Sequence, residues 1–271
     1  MSTKNRIFYY DFLRTLAILF VILCHTSHFF SWGGTTTASL ITSYTLYDLA
    51  KLGVPIFFML SGALLLNKDY EIKDFLKRRF TRILYPFLFW ISIILIGVYY
   101  LTGTQFLLDM FLGTNGQFSW FVWTLMGMYL FIPIFNAFIK RYGIKGVEYY
   151  LVIWFFTIIL AQFNSYPFGR FDLTVFSGWF GVLVLGYYLD NKDFKISDSK
   201  LCLIGFLVFL ACLIINVYWN YTNYVPCFSL DKCDYLSLLS IVISSGFFLF
   251  IRYFKKLIQL KTLLLEGQLF Q

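Results

Sequence analysis

Eight stretches of this chain are apolar and long enough to cross a bilayer as helices, and few folds accommodate so many. They lie near residues 12–32, 49–66, 83–101, 118–138, 147–163, 174–189, 201–219 and 235–253. A spanning helix needs about 20 residues to cross roughly 30 Å of hydrocarbon. Within lipid, every backbone N–H and C=O must find a partner inside the protein, which leaves helices or closed barrels. The segments are too long for barrel strands and lack their alternating pattern. The sequence therefore predicts an all-α, polytopic transmembrane helical bundle of about eight spans. With 59% hydrophobic and only 13% charged residues, the chain has little polar surface from which to build a separate soluble module.

The cations set an orientation. When the connections are numbered alternately from the N-terminus, all but three of the 22 Lys and Arg fall on the first side. Only Lys51, Arg170 and Lys232 fall on the other. This asymmetry predicts a multi-pass protein of the cell (inner) membrane with a cytoplasmic N-terminus. It also accounts for most of the net charge of +8, and the spread of basic residues over every cytoplasmic turn argues against a nucleic-acid partner. Membrane lipids are the expected surroundings. The first apolar run has no small-residue cleavage site after it, so the first helix is expected to stay. No cysteine spacing suits zinc or an iron–sulfur cluster, and no metal is expected. Cys227 and Cys233 share the outer turn between the last two spans, where an oxidising compartment would permit a disulfide. The organisation expected is one transmembrane domain over residues 1–255 and a short tail over 256–271, which begins an apolar run and stops.

Within the first span stand Arg14 and His25. Eleven positions at about 100° per residue bring the two side chains to one face, roughly 16 Å apart along the helix. An ionisable group near the centre of a membrane helix costs about 2.5–3.5 kcal/mol or more, so such a stripe points to a working site. Asp11, three positions before Arg14, is spaced to pair with it at the membrane border. Arg14 alone also reads as a snorkelling cation. His25, near the middle of the predicted span, reads either as a buried histidine bonded to a neighbouring helix or as a general acid or base. His28 lies on nearly the same face, closer to the outer border.

A second cluster, Lys77-Arg78-Arg79-Phe80-Thr81-Arg82, is expected in the turn before the third span. Arg79 and Arg82 share a helical face, and guanidinium forks there suit a phosphate-rich ligand from the cytoplasm as well as lipid headgroups. The second span carries Pro55 and the pair Ser61-Gly62, which permits close approach of another helix. Trp120 and Trp123 open the fourth span, as an interfacial belt or as stacking surfaces for a sugar ring.

Arg14 with His25, the preceding Tyr10-Asp11-Phe12-Leu13, the run Phe57-Phe58-Met59-Leu60-Ser61-Gly62, Arg79-Phe80-Thr81-Arg82 ahead of Tyr85-Pro86, and Trp120-Phe121 before Tyr129 together resemble the acyltransferase family 3 membrane proteins. The resemblance covers about residues 6–255. It implies an enzyme that transfers an acyl group, usually acetyl, from acyl-CoA on the cytoplasmic side to hydroxyls of surface polysaccharide or lipid-linked sugar, with no bound cofactor. His25, Arg14 and Asp11 would then be catalytic, His25 by deprotonating the acceptor or by relaying the acyl group; Arg79, Arg82 and Arg78 would hold the donor, and Ser61, Trp120 and Trp123 would face the acceptor. Family members typically have ten spans, so the resemblance implies that the last two are missing here. Two other functions fit an ionisable stripe in a membrane helix: a small-solute or proton-coupled transporter, and an inactive truncated remnant of such an acyltransferase. A transporter would favour inverted repeats and paired broken helices, neither of which the sequence shows.

Overall fold

The computed structural model describes residues 8–26, 36–102, 111, 119–162, 178–223 and 236–269. Among them the elements are helical: α1 (Phe8–Thr26), α2 (Thr37–Lys51), α3 (Gly53–Leu65), α4 (Ile72–Thr102), α5 (Trp120–Gln162), α6 (Trp179–Asn191), α7 (Asp198–Thr222) and α8 (Leu238–Leu269). Five apolar helical rods are long enough to cross a membrane: Phe8–Thr26, Thr37–Leu65, Ile72–Tyr100, Trp120–Leu160 and Asp198–Thr222. The protein is an all-α, multi-pass membrane protein. His28, Arg170, Cys227, Lys232 and Cys233 lie outside the described residues, and with them the expected disulfide.

Four boundaries differ from the sequence reading. The second rod starts at Thr37 rather than near residue 49, because the hydroxyls of Thr42, Ser43 and Thr45 bond back to the carbonyls of Ala38, Ser39 and Ile41 at 2.8–2.9 Å. Residues counted as polar by hydropathy hide their polarity in the helix itself. Lys51 is consequently not in an outer turn. It sits inside the rod, where Leu52 keeps right-handed helical angles between α2 and α3.

The basic cluster belongs to the first turns of α4, not to a turn before it. No glycine or proline interrupts residues 72–82, and Asp74 in the first turn complements the helix dipole. The fourth and fifth expected spans overlap α5, where two helices meet at a kink on Gly143, with the non-helical angles φ 61° and ψ −153°. A left-handed angle of that kind is available to glycine without a Cβ clash. At the other end of the chain, α8 continues as helix through the expected start of the tail to Leu269.

The chain divides into two compact units, Met1–Leu64 with Glu148–Gln271, and Leu65–Val147. In the first, the core is made by Ile56, Phe58 and Met59 of α3, Trp154 of α5, Val182, Leu183 and Val184 of α6, and Ile241 and Phe248 of α8, all fully buried. Between lipid-embedded helices the drive to associate comes from close packing, since lipid tails are as apolar as leucine. The α3–α6 crossing achieves it with glycines, as Ser61-Gly62 led one to expect. A Cβ on Gly62 would lie 1.7 Å from the Leu183 carbonyl oxygen, and one on Gly186 would lie 2.2 Å from the Met59 backbone. In the second unit Phe75, Ile132, Phe135 and Ile139 form the buried centre.

Gly62→Ala and Gly186→Ala should each cost about 2 kcal/mol or more by forcing these backbones apart. A thermal-unfolding series in detergent checks this, with Gly97→Ala as the control. Nothing lies within 4 Å of a Cβ at Gly97, so that change should hold or raise Tm.

Candidate functional site

The N-terminal end of α1 is held by one carboxylate. Tyr9 and Tyr10 both donate their hydroxyls to Asp190 at the end of α6, Tyr10 at 2.6 Å. The Arg252 guanidinium of α8 stands 3.4 Å from the same carboxylate and also donates to the Leu189 carbonyl. Hydrogen bonds to a charged acceptor contribute about 1.5–3 kcal/mol each, enough to set the rotation of a helix that is apolar on most sides.

Past that anchor, Leu13 and Ala17 are fully buried, and four residues on, Val21 meets α3. Gly53 makes the contact possible, because a Cβ there would lie 2.8 Å from both the Ala17 carbonyl oxygen and the Val21 side chain. With this stripe as the packed seam, Arg14 and His25 stand on an exposed face, with Ile18 and Ile22 exposed between them. They share a face as their spacing predicts, and it is not the one packed into the core. Asp11 pairs with Arg14 at 3.0 Å. His25 lies in the last turn of α1, one turn beyond the Gly53 contact at Val21.

Arg78, Arg79 and Arg82 belong to the second unit. The exposed Arg78 donates its Nε to the Asp74 carbonyl at 3.2 Å. Arg79 lies over the buried Phe75 ring, 5.8 Å from its centroid. Tyr129 of α5, buried, meets the same Phe75 ring edge-on at 6.1 Å, and Arg82, three residues after Arg79, shares its helical face. Tyr70 packs against the same Phe75 ring, with ring centroids 4.5 Å apart. Burial pushes the Tyr70 phenol pKa up, and the Arg79 charge opposes part of that rise.

The remaining sequence candidates have local roles. Ser61 donates to the Phe57 carbonyl at 2.9 Å and belongs to the first unit. Trp120 and Trp123 are half-buried in the second, at the start of α5. The Trp123 indole N–H donates to the Phe111 carbonyl at 2.8 Å, and its ring packs edge-on against Phe87 and Phe111. Trp120 packs edge-on against Phe121.

Sequence reasoning missed a buried charge cluster in the first unit. Asp48 and Lys51 pair at 3.7 Å with almost no side-chain exposure. Asn220 donates its amide to the Asp48 carboxylate at 3.2 Å, and the Lys51 ammonium lies 4.4 Å over the Tyr47 ring. The available signal was the three-residue spacing of opposite charges, which marks a helical pair. It was hidden by placing the boundary of the second span between them.

Several helices of spanning length, ionisable side chains kept within them and an arginine pair at one helix start define a multi-pass membrane protein with a polar site. The model of the acyltransferase 3 family, described as an acyltransferase domain, matches residues 7–265. The chain belongs to that family and is a membrane acyltransferase domain. No curated protein and no solved structure matches it.

Removing one member of the Asp48–Lys51 pair strands a buried charge. Lys51→Met should cost roughly 3 kcal/mol, and Asp48→Leu with Lys51→Met should cost clearly less than that single change. Unfolding transitions of the two proteins in detergent measure the difference.

Proposed function

We propose that this acyltransferase moves an acyl group, acetyl in the leading case, from acyl-CoA to a hydroxyl of a cell-surface polysaccharide or its lipid-linked precursor. It does so in the inner membrane, with its N-terminus in the cytoplasm. The observation that carries this reading is the stripe formed by Arg14 and His25, two ionisable side chains on one exposed face of an otherwise apolar helix. The packed seam of α1 is Leu13, Ala17 and Val21, on another face from both side chains.

In this reading Arg79 and Arg82, assisted by Arg78, hold the phosphates of acyl-CoA, for which planar guanidinium forks are suited. Arg14, directed by Asp11, supplies a cation on the same stripe as the base. His25 takes the proton of the acceptor hydroxyl as its oxygen attacks the thioester carbonyl carbon. The C–O bond forms, the C–S bond breaks, and the proton passes to the departing thiolate, leaving the ester and free CoA. Ser61, Trp120 and Trp123 are assigned to the acceptor side, where indole faces stack on sugar rings.

His25→Ala should lower acylation at least about 100-fold with protein level unchanged. Arg79→Gln with Arg82→Gln should act mainly by raising KM for acyl-CoA. Mass spectrometry of surface glycans from cells carrying each variant reads both group and position. Glycans from His25→Ala cells acylated as in the wild type would remove the histidine from the mechanism.

A further inference from the structure

The arginine pair is not an isolated patch of charge, because the chain has built an aromatic surface beside it and fastened the turn that presents it. That turn links α3 to α4, and one buried side chain organises it. Asn136 of α5 accepts from the Asn67 N–H at 2.8 Å and donates to the Lys68 carbonyl at 3.1 Å. Its amide also reaches the Leu65 carbonyl at 3.4 Å. Asn67 takes a left-handed φ of 57°, and Asp69 forms an ion pair with Lys140. Four points of attachment therefore precede Tyr70. Its half-buried ring rests on Phe75, which is 2% exposed and forms a fixed floor.

Arg79 lies over that same floor. The two distances of 4.5 and 5.8 Å share the Phe75 ring, which puts the guanidinium and the phenol within the span of a single nucleotide. Tyr129 meets Phe75 edge-on at 6.1 Å, so the Arg79 guanidinium borders an aromatic cluster, with Arg82 one turn further along the same helical face. A lipid headgroup needs the cations alone. A ligand that joins a flat base to several phosphates would use the cations and the ring together.

We propose that Tyr70, backed by Phe75, is the platform on which the adenine of the acyl donor stacks while Arg79 and Arg82 hold the donor's phosphates. The proposal rests on the donor assignment made above and adds a determinant of specificity to it. Base stacking on an aromatic side chain requires a ring face and no particular hydrogen bond, so the platform needs an aromatic residue and not a phenol. A donor carrying the same phosphopantetheine arm without adenine would lose this contact and keep the others.

The test is a calorimetric titration of the full-length protein in lipid nanodiscs with two probes, coenzyme A and 4′-phosphopantetheine. Tyr70→Leu should weaken coenzyme A about tenfold and leave 4′-phosphopantetheine within twofold of wild type. Tyr70→Phe should keep coenzyme A within twofold, which a role for the hydroxyl would not allow. Arg79→Gln should weaken both probes. If Arg79→Gln weakens coenzyme A while Tyr70→Leu does not, the donor assignment stands and the adenine platform is wrong. If Tyr70→Leu weakens both probes alike, Tyr70 only shapes the turn and the platform is again wrong. A wild-type protein that binds no coenzyme A overturns the donor assignment and the platform with it.

Discussion

A single carboxylate, Asp190, decides how the first helix of this protein is turned. A transmembrane helix that is apolar over most of its surface has little reason to prefer one rotation, since lipid and protein offer its leucines similar surroundings. Two adjacent phenols reaching one acceptor from α1, with the Arg252 guanidinium completing its shell from α8, remove that freedom. An ionised group inside a membrane protein must be paired and hydrogen-bonded to be tolerable, and Asp190 is both. Leu13 and Ala17 then enter the core, and Arg14 with His25 faces away from it. The face that carries Arg14 and His25 is therefore positioned by contacts at the N-terminal end of α1 and by the glycine contact at Val21.

The second unit uses a neutral version of the same device. The Asn136 amide, buried on α5, satisfies one N–H and two carbonyls of a turn that would otherwise leave them without partners in a poorly hydrated place. Both units thus spend one buried polar side chain on fixing backbone or helix orientation near an exposed cationic group. The difference lies in what is fixed: a helix rotation in the first, a loop conformation in the second.

The helical class and the membrane setting were legible because they follow from length and apolarity alone, and each expected span overlaps a described helix. The shared face of Arg14 and His25 was legible too, being a matter of periodicity. Helix ends were less so. Hydropathy treats a hydroxyl as polar whether or not it bonds to its own helix, so the Thr- and Ser-rich α2 was passed over and Lys51 was assigned to a turn. The Asp190 anchor and the Asn136 clamp were invisible for another reason: each joins residues more than sixty positions apart, and a single sequence contains no record of which distant side chains meet. The placement of Tyr70 against Arg79 depends on that clamp and was hidden with it.

The burial of Lys51 changes how the chain reads to the machinery that threads it into the bilayer. Orientation during insertion responds to cations that are exposed near the ends of spans, not to those neutralised inside the folded bundle. With its ammonium matched to Asp48 and tucked against Tyr47, Lys51 ceases to oppose the bias set by the alternate connections. On the orientation expected from the sequence, Arg170 and Lys232 would then be the cations still set against it.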